Sequence, residues 1–126
     1  MSGYSLDANI VIDALLNHEP AHREIFRIAD SGARMWISRM AWIEILSKGN
    51  ESAVRDVLMF LGQFGLDEID DEISRRAAAL RRERARLKSP DAIILATAQL
   101  RGRVLVTRNT KDFPAEMPGI RVPYTL

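Results

Sequence analysis

Four acidic residues stand in sequence surroundings that predict burial. Asp7 follows Tyr4-Ser5-Leu6 and precedes Ala-Asn-Ile-Val-Ile; Glu44 interrupts the apolar stretch from Met40 to Leu46. Asp91 opens the run Ala-Ile-Ile-Leu-Ala-Thr-Ala, and Asp112 lies just past Val104-Leu-Val-Thr107 in the loop Arg-Asn-Thr-Lys-Asp-Phe. A carboxylate taken out of water neutralises, pairs with a cation or binds a metal ion. Oxygen donors alone suit Mg²⁺ or Mn²⁺ rather than zinc. Each acid also has a purely structural reading. Asp7 would serve as an N-cap for a helix starting near Ala8, and Asp91 would complement a helix dipole. Glu44 would pair with Lys48 one turn on, and Asp112 would be an ordinary loop acid. The set carries more than any member, because all four structural readings would have to coincide.

Composition removes most other chemistries. The chain has 126 residues, no Cys and only two His, at 18 and 22. Disulfides, thiolate metal sites, Cys nucleophiles and His-rich metal sites are therefore excluded. The 18 Lys and Arg against 17 Asp and Glu argue against nucleic-acid binding by bulk charge. That balance conceals a segregation: between Asp71 and Pro90 seven basic residues face three acidic ones, a local excess of four. With 47% hydrophobic and 28% charged residues the composition is that of a globular domain. No internal repeat or linker appears, so one domain over 1–126 is expected. The N-terminus, MSGYSLDANIVID, lacks a basic start and does not read as a signal segment. No apolar run approaches the ~20 residues of a membrane span, so a cytoplasmic protein without a membrane partner is expected.

Short apolar strands alternate with helices, which predicts an α/β fold around a mainly parallel sheet. Strands are expected at 4–7, 34–37, 66–69, 104–106 and 120–124. Helices are expected at 9–17, 22–31, 39–48, 51–63, 71 to about 87, and 90–100. Ser38 and Asp70 read as N-caps, Ser89-Pro90-Asp91 as a helix start with Ser89 at the cap, and Gly65 as a stop. In such folds ligands bind beyond the carboxyl ends of the strands. Several of the acids would converge there.

Four segments carry a family resemblance: SLDANIVIDALL at 5–16, ISRMAWIEILSKG at 37–49, LKSPDAIILATAQLRG at 87–102 and VLVTRNTKDF at 104–113. In order and spacing they resemble the PIN domain family, and more narrowly its VapC-type toxins. The resemblance implies a three-layer α/β/α fold and a metal-dependent endoribonuclease, the toxin of a toxin–antitoxin pair. It places the family's acidic positions on Asp7, Glu44 and Asp91, as catalytic residues and as ligands of Mg²⁺ or Mn²⁺. The fourth position, commonly Asp, falls on Asn109, which offers a neutral oxygen; Asp112 is a candidate to compensate. Asn9 and Thr107 match positions that orient carboxylates by hydrogen bonds, although helix-start and strand-end polarity would also account for them.

RNA, a cognate antitoxin and a second copy of the chain are the partners this resemblance implies. Arg86, Lys88 and Arg108 are the cations best placed for RNA, while Arg75 and Arg82 read as a solvated helix face. Trp36 and Trp42 read as packing residues before base-stacking ones, and His18 and His22 as surface residues. Two other readings compete. A receiver-like module needs an acidic pair after the first strand and a late Lys, where this chain has Asp7-Ala8-Asn9 and Thr107-Arg108. A DNA nuclease or an inactive binding module of the same fold is the other.

Overall fold

The computed structural model describes residues 3–126; Met1 and Ser2, the start of the N-terminal stretch read for a signal segment, lie outside the described residues. Five strands form one sheet: β1 (Tyr4–Leu6), β2 (Met35–Ser38), β3 (Gly65–Asp67), β4 (Val104–Val106) and β5 (Ile120–Arg121). Their order is β3-β2-β1-β4-β5 and every neighbouring pair is parallel. The three residues of β1 pair in register with all of β4, Leu6 opposite Val106. Leu6, Leu105 and Val106 are fully buried, as the middle of a parallel sheet requires. The chain runs from β1 out to the β3 edge and then returns to the far side of β1. That reversal makes the carboxyl ends of β1 and β4 a topological switch point, where open α/β sheets place ligands.

Between the strands lie α1 (Ala8–Leu15), α2 (Glu19–Asp30), α3 (Arg39–Leu46), α4 (Val54–Leu61), α5 (Asp71–Glu83) and α6 (Ser89–Arg101). Right-handed crossovers put the helices before and after the reversal on opposite faces, giving three layers. α1 packs on α2 and α3, α5 packs on α6, and α3 also meets α6, which draws Glu44 towards Asp91. Ser38 caps α3 by accepting from the Ala41 N–H at 3.0 Å, and Asp70 caps α5 through Ile73 at 2.8 Å. Gly102 ends α6 in the left-handed region at φ 68°, where a side chain would be strained. Ile10, Val11, Ile37, Ile45, Ile94 and Phe113 fill the core. Truncating any one of the Ile residues to Ala would cost about 2–5 kcal/mol.

Several boundaries differ from the sequence expectation. The 51–63 helix splits into a 3₁₀ turn at Glu51–Ala53, capped by Asn50, followed by α4. α5 stops at Glu83 because Arg84 turns to φ −132°, ψ 87°, and the chain then dips to bury Leu87. Lys88, not Ser89, occupies the cap of α6. Gly65 lies within β3 rather than ending an element: a Cβ there would sit 2.3 Å from the Trp36 ring, so only glycine lets that ring cover the strand. The last strand is two residues long, as Pro123 has no N–H to continue it. Among the described residues no helix is long and apolar enough to cross a membrane.

Candidate active site

Asp7 follows β1 directly and its carboxylate is buried, 4% exposed. It caps α1, with Oδ1 accepting from the Ala8 N–H at 2.7 Å. Oδ2 accepts from the Thr107 hydroxyl at 2.8 Å and from Asn9 Nδ2 at 3.2 Å. Thr107 Oγ1 in turn accepts from the Asn109 N–H at 3.0 Å, and Asn9 Oδ1 accepts from the Arg108 N–H at 3.3 Å. Asn9 and Thr107 therefore fix Asp7 by neutral hydrogen bonds that join the ends of β1 and β4.

Among the described residues four carboxylates are buried: Asp7, Asp13, Glu24 and Asp67. Three have cationic partners. Arg108 grips Asp13 with Nε at 2.6 Å and Nη2 at 3.1 Å; Arg121 and Arg27 hold Glu24 at 2.7 and 2.9 Å; Arg103 meets Asp67 at 3.1 Å. Asp7 is the one buried carboxylate among the described residues with no salt bridge. Burial raises its pKa, against the hydrogen bonds from Thr107, Ala8 and Asn9 and the nearby Arg108 charge. It is an acid held in place but not neutralised.

Glu44 and Asp91 share a cleft of about 390 Å³ with Asp7, together with Asn9, Lys48 and Asn109. The acids feel one another. Glu44, half-buried on α3, has its pKa raised by desolvation and then by the charges of Asp7 and Asp91. Asp91, in the first turn of α6, is pushed up to about 6 by desolvation, by Asp112 and by Asp7. Asp112 lines a second cleft together with Asp91, and Asn109 Nδ2 donates to Asp112 Oδ2 at 2.9 Å. Asn109 and Asp112 thus act as one unit, their side chains and backbone joined by two hydrogen bonds. As the side chains lie, no three acids among the described residues form a closed ligand set. The all-oxygen donors of the cleft are those that suit Mg²⁺ or Mn²⁺.

The PIN domain family model matches residues 4–115. The chain belongs to the PIN domain family. No curated protein sequence matches it. Among solved structures it is similar to a chain of a toxin–antitoxin complex from Klebsiella pneumoniae, at 37% identity and TM-score 0.82, covering 98% of this chain and 99% of that one. It is also similar to a chain of DNA-bound VapBC from Salmonella typhimurium, at 28% identity and TM-score 0.76, covering 96% of each. VapBC2 from Rickettsia felis, at 21% identity and TM-score 0.75, covers 93% of this chain and 94% of that one and shares the fold.

In this PIN domain the structure brings Asp7, Asn9, Glu44, Asp91 and Asn109 to one cleft, with Thr107 bonded to Asp7 and Asp112 against Asp91. Arg108 lines the same cleft, but its guanidinium is taken by Asp13, and the Tyr124 hydroxyl adds a third bond to Asp13 at 2.7 Å. The Tyr124 ring also lies 5.2 Å from His18, whose Nε2 is buried without a partner. Arg86 and Lys88 face a second cleft beside Asp91. Among the described residues no ion pair joins Glu44 to Lys48, although the Lys48 charge opposes the rise at Glu44. Trp36 packs against Arg34 and Arg103, and Trp42 against Arg39. Sequence reasoning missed the buried acids Asp13, Glu24 and Asp67. Asp13 meets the criterion used for Asp7, an acid among apolar neighbours; only its salt bridge tells the two apart.

Proposed function

We propose that this PIN domain is a Mg²⁺- or Mn²⁺-dependent endoribonuclease, the toxin of a toxin–antitoxin pair acting in the cytoplasm. The observation that carries it is Asp7: a buried carboxylate without a salt bridge, opening onto a cleft shared with Glu44 and Asp91. Asp7, Asp91 and Glu44 would hold the ion, with Asp112 and Asn109 beside them. A bound divalent ion supplies charge neutralisation at the phosphodiester and eases deprotonation of water. The protein does the rest. Thr107 and Asn9 keep the Asp7 oxygens aimed, and Asn109 adds a neutral oxygen that brings no further repulsion. Glu44 lines the same cleft, where it would serve either as a further ligand or as the base that takes a proton from the attacking water. Arg86 and Lys88 attract the phosphate backbone from outside the acid cluster.

Two apolar surfaces support protein partners. Ile12, Leu15, Leu16, Ile45 and Val57 line a groove of about 310 Å³ that shares Ile12 and Lys48 with the acid cleft. Leu16 is 76% exposed there. An apolar antitoxin segment ending in a basic side chain would cover the groove and neutralise the acids together. Val54, Leu58 and the 71%-exposed Met59 form a separate patch on α4, suited to a second copy of the chain. Incubating total RNA with the protein and Mg²⁺ or Mn²⁺ tests the activity. Wild type cleaves, and Asp91→Asn loses cleavage by about 10²-fold or more. Equal cleavage by both proteins contradicts the assignment, and cleavage of DNA alone moves the substrate to DNA.

A further inference from the structure

The segment between α5 and α6 forms one wall of a second cleft. Leu87 is buried and anchors it, and Arg84 Nη2 braces it by donating to the Asp112 carbonyl oxygen at 2.6 Å. Opposite stands the loop that carries Lys111 and Asp112. The space between is about 470 Å³, lined by Arg84, Arg86, Lys88, Lys111, Asp91 and Asp112. Asp91 lines both this cleft and the acid cleft, so the two meet at that residue.

Four cations face two carboxylates here, and the cations are not spent on ion pairs. Elsewhere Arg27, Arg39, Arg101, Arg103, Arg108 and Arg121 are each bound to acids. Among the described residues, Arg84, Arg86, Lys88 and Lys111 form no salt bridge, and Arg84 Nη1 is buried with no hydrogen-bond partner. Clustered cations repel one another unless an anion sits among them. Among the described residues no aromatic side chain lines the cleft, which therefore presents charge and not a stacking platform. What it offers is positive charge at a fixed place beside Asp91.

We propose that this cleft is a phosphate subsite that holds the phosphodiester neighbouring the scissile bond of a single-stranded RNA, with Lys111 and Arg86 as its exposed contacts. The proposal rests on the nuclease reading, because it takes Asp91 as the point where the two clefts meet on one strand. Arg84, braced on the Asp112 carbonyl, contributes charge from the wall. Contacts of this kind position a strand without reading its sequence.

The test is binding of a short fluorescein-labelled single-stranded RNA to the full-length protein, by anisotropy, in EDTA so that nothing is cut. Lys111→Glu and Arg86→Glu each weaken binding about fivefold or more, and each lowers the slope of log K against log salt by about one. Single-stranded DNA of the same sequence loses as much. Arg75→Glu, the same charge change at an exposed residue ion-paired with Asp71 on α5, is the control and leaves both quantities near wild type. If the cleft variants lose no more than Arg75→Glu, the subsite is wrong even where the wild type cuts RNA. If the wild type cuts no nucleic acid with either metal yet only the cleft variants lose binding, the nuclease reading falls and the phosphate subsite stands.

Discussion

The Thr107 hydroxyl donates to Asp7 Oδ2 at 2.8 Å, tying the residue after β4 to the residue after β1 across the sheet's switch point. Thr107 is fully buried and its oxygen also accepts from the Asn109 N–H at 3.0 Å. One hydroxyl therefore sets both Asp7 and the start of the loop leading to Asp112. Thr107→Val keeps the shape and removes the bond. Mn²⁺ affinity should fall about 10- to 100-fold, as it does when a ligand loses its orienting partner. Titration calorimetry beside a urea melt checks this, since the loss of affinity should exceed any change expected from a stability loss of about 1 kcal/mol.

Asp7→Asn should make the metal-free protein more stable at pH 7. The amide keeps an oxygen for the Ala8 N–H and removes a buried charge that no salt bridge neutralises, but it loses the acceptor that serves Thr107 and Asn9. The net gain expected is of order 1 kcal/mol, the usual size when a site is relieved of a functional compromise. A urea midpoint at or below wild type would mean that the hydrogen bonds to Asp7 outweigh the cost of its buried charge.

The acid cleft also fixes a pH dependence. Asp91 titrates near 6 in the folded protein and near 3.8 when unfolded, so between these values the folded state holds the extra proton. Stability of the metal-free protein conferred by this group is present below about pH 4 and lost as pH rises through 6. Asp13 and Glu24 act in the opposite sense. Burial works to raise both, but their arginine partners outweigh it and hold them below the ordinary carboxylate range. Their contribution is present at neutral pH and lost in strong acid. Urea melts at pH 5 and pH 7 should show the Asp91→Asn protein losing less stability over that interval than wild type. Equal losses would remove the coupling.

Arg108→Ala separates two roles for one residue. If the guanidinium serves chiefly Asp13, its removal strands a buried carboxylate and costs about 3 kcal/mol, with Tyr124 leaving only one bond to Asp13. The Arg108 side chain is 28% exposed, which sets the expectation at the low end of the range for buried pairs. Tyr124→Phe should cost about 1 kcal/mol. A folded, fully stable Arg108→Ala protein with weakened RNA binding would assign Arg108 to RNA instead.

Much of this was legible in the chain itself. The acids at 7, 44 and 91 stood out because apolar neighbours gave them no solvent, and the parallel α/β pattern said which edge of the sheet would gather them. The Ser38 and Asp70 caps are local chemistry and came through. Long-range pairing did not. Nothing near Asp13 or Glu24 in sequence announces Arg108 or Arg121, which lie 95 and 97 residues away. The end of α5 at Glu83 was hidden as well, because Arg-Ala-Arg is good helix sequence and burial of Leu87 overrides it. That override takes Arg84 and Arg86 off the expected helix and into a cleft wall with Lys88.

If the cluster around Asp7 takes a divalent cation, calorimetric titration of Mn²⁺ into wild type and Asp7→Asn will separate the two proteins. Run near pH 6 in two buffers of different ionisation heat, the wild type should bind Mn²⁺ and release protons, because Asp91 is about half protonated there. Folded Asp7→Asn should bind at least tenfold more weakly. Equal binding by the two proteins, or no binding by a folded wild type, would contradict the account.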